Sequence, residues 1–449
     1  MTQRKSYGAY RESGIKWLGR IPENWSIYRV KSTIEFSQNG VWGEDPDGGS
    51  DDIECARVAD FDRVSFTVSD NLATYRKVPE AQRRSREVKD GDLLFEKSGG
   101  GEKTLVGAIV QYKGSKAIIC SNFVSVIKVK SGVNSRWLCY VNAFLYSIGV
   151  NSRSIKQATG IQNIDSEQYF SERIPVPSKL EQDRIAIWLD RETARIDTLI
   201  AKKTRFIDLL KEKRQAVITK AVTKGLDDSV EMKESGAFWI GKTPAHWAVC
   251  KLSYRYSVEL GKMLDEKKLT GLHPVPYLRN KDVQWEQINS SNLPFMDIFP
   301  NERERYTVRS GDLLVCEGGD VGRAAIWKGA DNIIGFQKAL HRLRSLFPDR
   351  DLAEFYFYSL FTAKKSGLFE ESGTKSTISH LPAEKFREYR FSFPPFNEQV
   401  KIVAYLREVT GRIDTLIEKT ERSIELLKEH RSALITAAVT GKIDVREAA

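Results

Sequence analysis

The feature that most restricts this chain is that it repeats itself. From Ile185 it reads IAIWLDRETARIDTLIAKKTRFIDLLKEKRQAVITKAVTK, and from Ile402 it reads IVAYLREVTGRIDTLIEKTERSIELLKEHRSALITAAVTG. Arg195 matches Arg412, and Arg214 matches Arg431. ESGIKWLGRIPENW from Glu12 returns as ESGAFWIGKTPAHW from Glu234. GDLLFEKSGG from Gly91 returns as GDLLVCEGGD from Gly311. Any fold must therefore be assembled twice on one plan, and segments that differ between the copies are free to differ in task.

The longest match reads as helix. Pro175 and Pro177 close an extended IPVP stretch, and Ser178 to Glu181 then fits a capping box. Apolar residues follow at helical spacing: Ile185, Trp188, Leu189, Ile196, Leu199, Ile200, Phe206, Ile207, Leu210, Val217 and Ala221. Leu189, Ile196, Leu210 and Val217 share a heptad position that Lys203 interrupts, and Gly225 is the expected stop. A helix of about 45 residues would be roughly 68 Å long. The second runs from about Asn397 to about Gly441, with Ile413, Leu416, Ile417, Ile424, Leu427, Leu434, Ile435 and Ala438 on its stripe. Such stripes are too long to bury on one small neighbouring domain. Packing the helices on each other, antiparallel as in a coiled coil, is the economical solution.

The expected fold class is therefore α+β: two similar globular domains joined by two long antiparallel coiled-coil helices, as a pseudo-twofold internal repeat. The globular domains are expected at 1–176 and 228–394, and the helices at 177–227 and 395–449. Between the anchors, residues 41–90 and 262–310 share little that side chains reveal. Frameworks that repeat around inserts that vary suit a device holding two different readers.

Composition adds a sign. The formal charge is +10, with 70 Lys+Arg against 60 Asp+Glu, which favours a polyanionic partner. Cys55, Cys120, Cys139, Cys250 and Cys316 are scattered and never spaced C-x-x-C, so neither a disulfide framework nor a zinc knuckle is implied. MTQRKSYGAYRESG lacks the apolar core of a signal peptide, and no apolar run reaches the ~20 residues of a membrane span. A cytoplasmic protein with no membrane partner is expected.

One motif points elsewhere. GAFWIGKT, Gly236 to Thr243, fits the phosphate-binding pattern G-x-x-x-x-G-K-[ST], which would make the chain an ATPase. Its first copy is GIKWLGRI, which keeps both glycines and the tryptophan but has Arg20 and Ile21 in place of Lys242 and Thr243. Phosphate chemistry is not what the repeat preserves. A P-loop also follows a buried strand and opens a helix. Here SVEMKES precedes, and Pro244 follows at once. Trp17, Trp25, Trp239 and Trp247 read instead as packing anchors around a turn.

Taken in order, ESGIKWLGRIPENW and its copy, the two GDLL segments, the IPVPSKLEQ and FPPFNEQ helix starts and the two RIDTLI helices resemble the DNA-specificity subunit of type I restriction-modification systems. The resemblance spans nearly the whole chain. It implies two target-recognition domains, each reading one half of an asymmetric bipartite site on double-stranded DNA. It implies that the long helices space those domains and dock two adenine methyltransferase subunits, with motor-nuclease restriction subunits joining to complete the complex. The chain itself would be non-catalytic and carry no cofactor. S-adenosylmethionine, ATP and magnesium would belong to the partner subunits. Readers on one face of a duplex lie about one helical turn apart, roughly 34 Å, or a multiple of it.

The residues are consistent with a non-catalytic role. Phe393-Pro394-Pro395-Phe396 looks like a methyltransferase motif, but Phe393 cannot accept a hydrogen bond from an amino group and the other copy reads IPVP. The five histidines show no ligand spacing. Base contacts need polar side chains on protruding loops. The candidates are Lys97, Ser98, Lys103, Gln157, Thr159 and Gln162 in the first copy, and Glu317, Arg323, Gln337, Thr374 and Lys375 in the second. The run from Arg76 to Arg86 is a candidate for phosphate contact.

Overall fold

A computed structural model of the chain describes residues 6–100, 104–158, 160–264, 270–329, 333–370 and 380–446. The chain divides into two compact units: Met1–Thr204 with Glu421–Ala449, and Arg205–Thr420. Both contain helix and sheet, and many elements of the first recur in the second in the same order.

In the first unit the main sheet has five strands, in the order Ile34–Asn39, Val124–Val129, Leu93–Glu96, Ile109–Lys113 and Thr67–Ser69. All neighbours are antiparallel except the last pair. The second unit repeats four of these strands as Tyr256–Leu260, Leu340–Ser345, Leu313–Cys316 and Ala324–Ile326, all antiparallel. The GDLL segments supply the central strands, and Leu93, Leu94, Leu313 and Leu314 are fully buried. A smaller sheet stands beside each: Asp52–Ala56 between Ile119–Cys120 and Tyr75–Lys77, and Pro274–Leu278 between Gly335–Phe336 and Phe295–Asp297. A thirteen-residue helix follows the main sheet in both copies, Ser135–Ser147 and Ala353–Lys365.

The long segments are helices of 46 and 44 residues, Lys179–Lys224 and Phe396–Val439. The first starts after Ser178, whose Oγ accepts from the Glu181 amide at 3.4 Å, and ends just before Gly225. Glu181 does not complete the capping box, because its Oε1 instead accepts from the Tyr7 hydroxyl at 2.6 Å. The matched glutamines do more. Gln182 donates to Pro177 O and accepts from the Asn134 amide, tying its helix to the start of Ser135–Ser147. Gln399 donates to Pro394 O and accepts from the Leu352 amide in the same way.

Within each unit, segments of the two helices run antiparallel. In the first, Arg184 reaches Arg446 O while Asp197 meets Arg431. In the second, Arg214 meets Asp414, and Gly225 lies against Glu398. Ile185, Leu189, Ile196, Leu434 and Ala438 join Trp25 and Trp137 in the first core. Ile218, Val222, Ile402 and Leu406 join Trp247 and Phe355 in the second. The stripe is narrower than its spacing suggests. Leu199, Phe206 and Leu416 are 40%, 46% and 46% exposed, so those apolar side chains face solvent.

The GAFWIGKT motif is a β-hairpin. Lys242–Pro244 pairs antiparallel with Met232–Glu234, just as Arg20–Pro22 pairs with Tyr10–Glu12. Gly14, Gly19, Gly236 and Gly241 all have φ between 64° and 70°, which only glycine adopts freely, so the repeat keeps them for the turn. Trp239 packs into the core, Thr243 is fully buried, and Lys242 faces Glu234 at 3.8 Å. No helix follows to present amides to a phosphate. Cys55, Cys120, Cys139 and Cys316 are buried free thiols, and Cys250 is half-buried and free.

Candidate nucleic-acid interface

Four backbone segments converge in each unit. In the first they are the end of the strand at Gly40, the turn after Ala56, the loop after Glu96 and the turn after Cys120. In the second they are the segments at Gly261, after Leu278, after Cys316 and after Phe336. The same hydrogen bonds hold both sets. Gly40 N donates to Val124 O at 2.9 Å, and Gly261 N to Leu340 O at 3.1 Å. Val41 N donates to Cys120 O, and Lys262 N to Phe336 O. Ser121 N donates to Ala56 O, and Gln337 N to Leu278 O. Lys97 N donates to Phe123 O, and Glu317 N to Ala339 O.

Glycine is required at the crossing. A Cβ on Gly40 would sit 2.0 Å from Cys120 O, and one on Gly261 would sit 2.3 Å from Gln337 O. Both exceed any tolerable approach, so the turn seats directly on the glycine.

The turn after the edge strand is also shared. Val58–Asp60 and Asn280–Asp282 are three-residue helices, each preceded by arginine. The Arg57 amide donates to Asp60 Oδ2 at 2.7 Å, and the Arg279 amide to Asp282 Oδ2 at 2.8 Å. The Arg279 guanidinium closes the loop on both Asp282 oxygens, and the Arg57 guanidinium lies 3.6 Å from Asp60. Burial works to raise the Asp282 carboxyl, and the hydrogen bonds from Arg279 outweigh it, holding the group below the usual carboxylate range. The segments 41–90 and 262–310 thus do share a motif, R-x-x-D. Only two of its four residues are common to both copies, which is why side chains alone hid it.

Each turn is braced from the helices. Arg431 donates to both Asp197 oxygens, at 2.9 and 3.2 Å, and to Val64 O just beyond the first R-x-x-D turn. Its guanidinium lies 5.3 Å from the Phe66 ring centre. Arg214 repeats this with Asp414 at 3.0 and 3.4 Å and Glu286 at 2.6 Å. Phe66 and Glu286 both have positive φ, 55° and 65°, in the hairpins these arginines grip.

The sequence-derived candidates fall unevenly on this frame. Lys97, Ser98, Gln157 and Gln162 come together on a three-stranded sheet, Ile155–Ala158, Ile161–Ile164 and Ser98–Gly99. Gln157 is exposed, whereas Lys97 and Ser98 are half-buried. Lys97 holds Asn39 Oδ1 at 2.7 Å, and Ser98 holds Asn163 Oδ1 at 2.5 Å. Gln162 faces inward: it is 7% exposed, and its Oε1 accepts from the Val106 amide at 3.1 Å. Glu317 is half-buried at the position matching Lys97. Arg323 is a brace rather than a probe, donating to Asn280 O and Asn280 Oδ1 at 3.0 Å each. Gln337 begins the turn that matches Ser121–Phe123. Lys103, Thr159, Thr374 and Lys375 lie outside the described residues. Arg76 is not a free phosphate contact. It pairs with Asp45, donates to Trp42 O and Gly43 O, and stacks 4.5 Å from the Trp42 ring centre.

Residues that sequence reasoning passed over occupy the exposed tips. These are Trp42, Asn122 and Phe123 in the first unit, and Met263, Lys281 and Lys338 in the second. The signal available was position: each follows a matched anchor directly. Among the described residues, no group of three His, Cys, Asp or Glu is placed to hold a metal ion, and no helix is long and apolar enough to cross a membrane.

Two α+β units built on one backbone frame, with unlike side chains at the same loop tips, define a duplicated protein whose copies differ where they meet solvent. Residues 247–426 match the family described as the type I restriction modification DNA specificity domain. Over most of its length the chain is similar to specificity subunits of type I restriction-modification systems. It is 23% identical to the type I restriction enzyme MjaVIII specificity subunit of Methanocaldococcus jannaschii, over 97% of both chains. It is 22% identical to the EcoKI specificity subunit of Escherichia coli K12, over 95% of this chain and 90% of that one. The fold is shared with the HsdS subunit of Thermoanaerobacter tengcongensis, at TM-score 0.58 and 16% identity over 94% of this chain and 98% of that one. A chain from a structure describing complex assembly and conformational transition of the type I R-M system matches at TM-score 0.71 and 15% identity, over 93% of this chain and 98% of that one.

Proposed function

We propose that the chain is a non-catalytic subunit that reads an asymmetric, two-part DNA site, one part with each unit, and so positions adenine methyltransferase and restriction subunits. The observation that carries this reading is the matched loop cluster. Hydrogen bonds and the Gly40 and Gly261 crossings fix the same backbone twice, while Asn122 and Phe123 stand where Lys338 and Ala339 stand in the other copy. A symmetric reader would place identical side chains at the two positions and read a palindrome. Unlike side chains on a common frame read unlike half-sites.

Partner docking is supported by the helices. Ile187, Leu199, Phe206, Leu209, Leu416 and Leu426 are each 40% exposed or more, which leaves apolar surface on the helices for a partner to cover. Methyl transfer and translocation, with S-adenosylmethionine, ATP and magnesium, are the work of those partners.

The test is to express the chain with its methyltransferase partner and map methylated adenines in the host genome. Residues 1–176 are then exchanged for the same segment of a relative. One half of a divided motif should change and the other half should persist. A motif that stays whole, or a single undivided palindrome, refutes the proposal.

A further inference from the structure

We infer that the turn Ser121–Phe123 of the first unit selects an A·T base pair, with Asn122 contacting adenine and an apolar wall of Trp42 and Phe123 receiving the thymine methyl. This rests on the DNA-reading role proposed above. A cavity of ≈ 420 Å³ opens beside the turn, walled largely by apolar atoms of Trp42, Val58, Ala59 and Phe123. Trp42 and Phe123 remain 38% and 49% exposed, an unfavourable state for two neighbouring aromatic rings. The wall is also preformed, since the Arg76 stack and its bonds to Trp42 O and Gly43 O fix the indole. Asn122, next to Phe123, is exposed, and its carboxamide takes no hydrogen bond among the described residues.

These groups match one base pair. In the major groove adenine offers an N7 acceptor and an N6 donor, and its partner thymine offers a methyl group. A carboxamide donates to the first and accepts from the second, while the methyl requires a dry apolar surface. The second unit supplies the contrast. Asn122 becomes Lys338, Phe123 becomes Ala339 and Ala59 becomes Lys281, and both lysines are exposed. Ammonium groups donate only, and the two adjacent acceptors in the major groove are O6 and N7 of guanine. Lysines at these positions for phosphate alone would be expected in both copies, yet the first copy has none there.

The complex of the chain with its methyltransferase partner tests this on synthetic duplexes. The half-site assigned to residues 1–176 by segment exchange is rebuilt with uracil replacing each thymine in turn. At one position methylation should fall about fourfold, the effect of one buried methyl group. Asn122→Ala should weaken recognition of that same pair on the order of tenfold. Asn122→Lys with Phe123→Ala should move the preference there from A·T toward G·C. Asn122 is exposed, so unchanged melting temperatures are expected and will separate misfolding from lost reading. A first half-site without an A·T pair, uniform indifference to uracil, or an Asn122→Ala motif equal to wild type overturns the inference. In those cases a divided motif still stands behind the proposed function, whereas no divided motif at all removes both.

Discussion

Gly40→Ala puts the frame itself on trial. The new Cβ would lie 2.0 Å from Cys120 O and 2.4 Å from Ser121 O, both backbone atoms that no side-chain rotation can move. An ordinary carbon–oxygen contact is about 3.3 Å, so the turn must retreat by about 1.3 Å. That retreat stretches the bonds from Gly40 N to Val124 O and from Val41 N to Cys120 O, now 2.9 and 2.8 Å. Overpacking of this kind costs about 1–3 kcal/mol, and the weakened hydrogen bonds add about 1 kcal/mol. For a unit of this size a loss of about 3 kcal/mol lowers the melting temperature by roughly 6–12 °C. Displacing the turn moves Asn122 out of hydrogen-bonding reach, so the first half-site should lose specificity while the second keeps it. Calorimetry and methylome mapping of the variant read both effects. Gly132→Ala is the control, because nothing lies within 4 Å of its Cβ. It should stay within about 0.5 kcal/mol of the parent. A Gly40→Ala protein that melts like Gly132→Ala, or that loses both half-sites equally, would show that the turn is not seated on the glycine.

Gly261→Ala should reverse the pattern, damaging the second half-site alone, as a Cβ there meets Gln337 O at 2.3 Å. Arg431→Met leaves Asp197 and Val64 O without their donor, and with Asp197 29% exposed the expected loss is about 1–2 kcal/mol, read by denaturant unfolding. Acid should weaken the second unit through His341, which is fully buried and whose Nε2 lies 2.7 Å from Leu381 O. Burial lowers its pKa to about 4. Between there and the ordinary histidine range near 6.5 the unfolded chain binds more protons than the folded one, so stability falls as pH drops through that window, by on the order of 3 kcal/mol. Thermal melts from pH 7 to pH 4 should show this slope, and His341→Gln should flatten it; an unchanged slope would assign the loss to other groups.

The parts of the fold legible in the sequence were those where side chains do the work. The two long helices, the tryptophan anchors around a turn and the repeated GDLL segments each bury residues that a repeat must keep in kind. The helix stripe was overread at Leu199, Phe206 and Leu416 because spacing marks a face as apolar without saying whether anything covers it. The loop frame was largely illegible for the opposite reason. Its matched contacts run from amide to carbonyl, and a backbone hydrogen bond leaves no record in residue identity. Only where the frame needs a particular residue does a trace survive: glycine at 40 and 261, arginine at 57 and 279, aspartate at 60 and 282.

That division has a functional consequence. If backbone atoms hold the turns in place, side chains at their tips can change without loosening the fold. Gln162 and Arg323 look like readers by residue type, yet they are fixed to Val106 and Asn280 and cannot vary without cost. Among the described residues, the side chains of Asn122 and Lys338 make no hydrogen bond or ion pair. Substitution there is therefore cheap in stability and, on the proposed reading, large in specificity. Exchanging Asn122 and Lys338 should shift melting by no more than about 0.5 kcal/mol in either direction. A larger shift would mean that these tips help to hold their own unit together and are not free to be tuned to DNA.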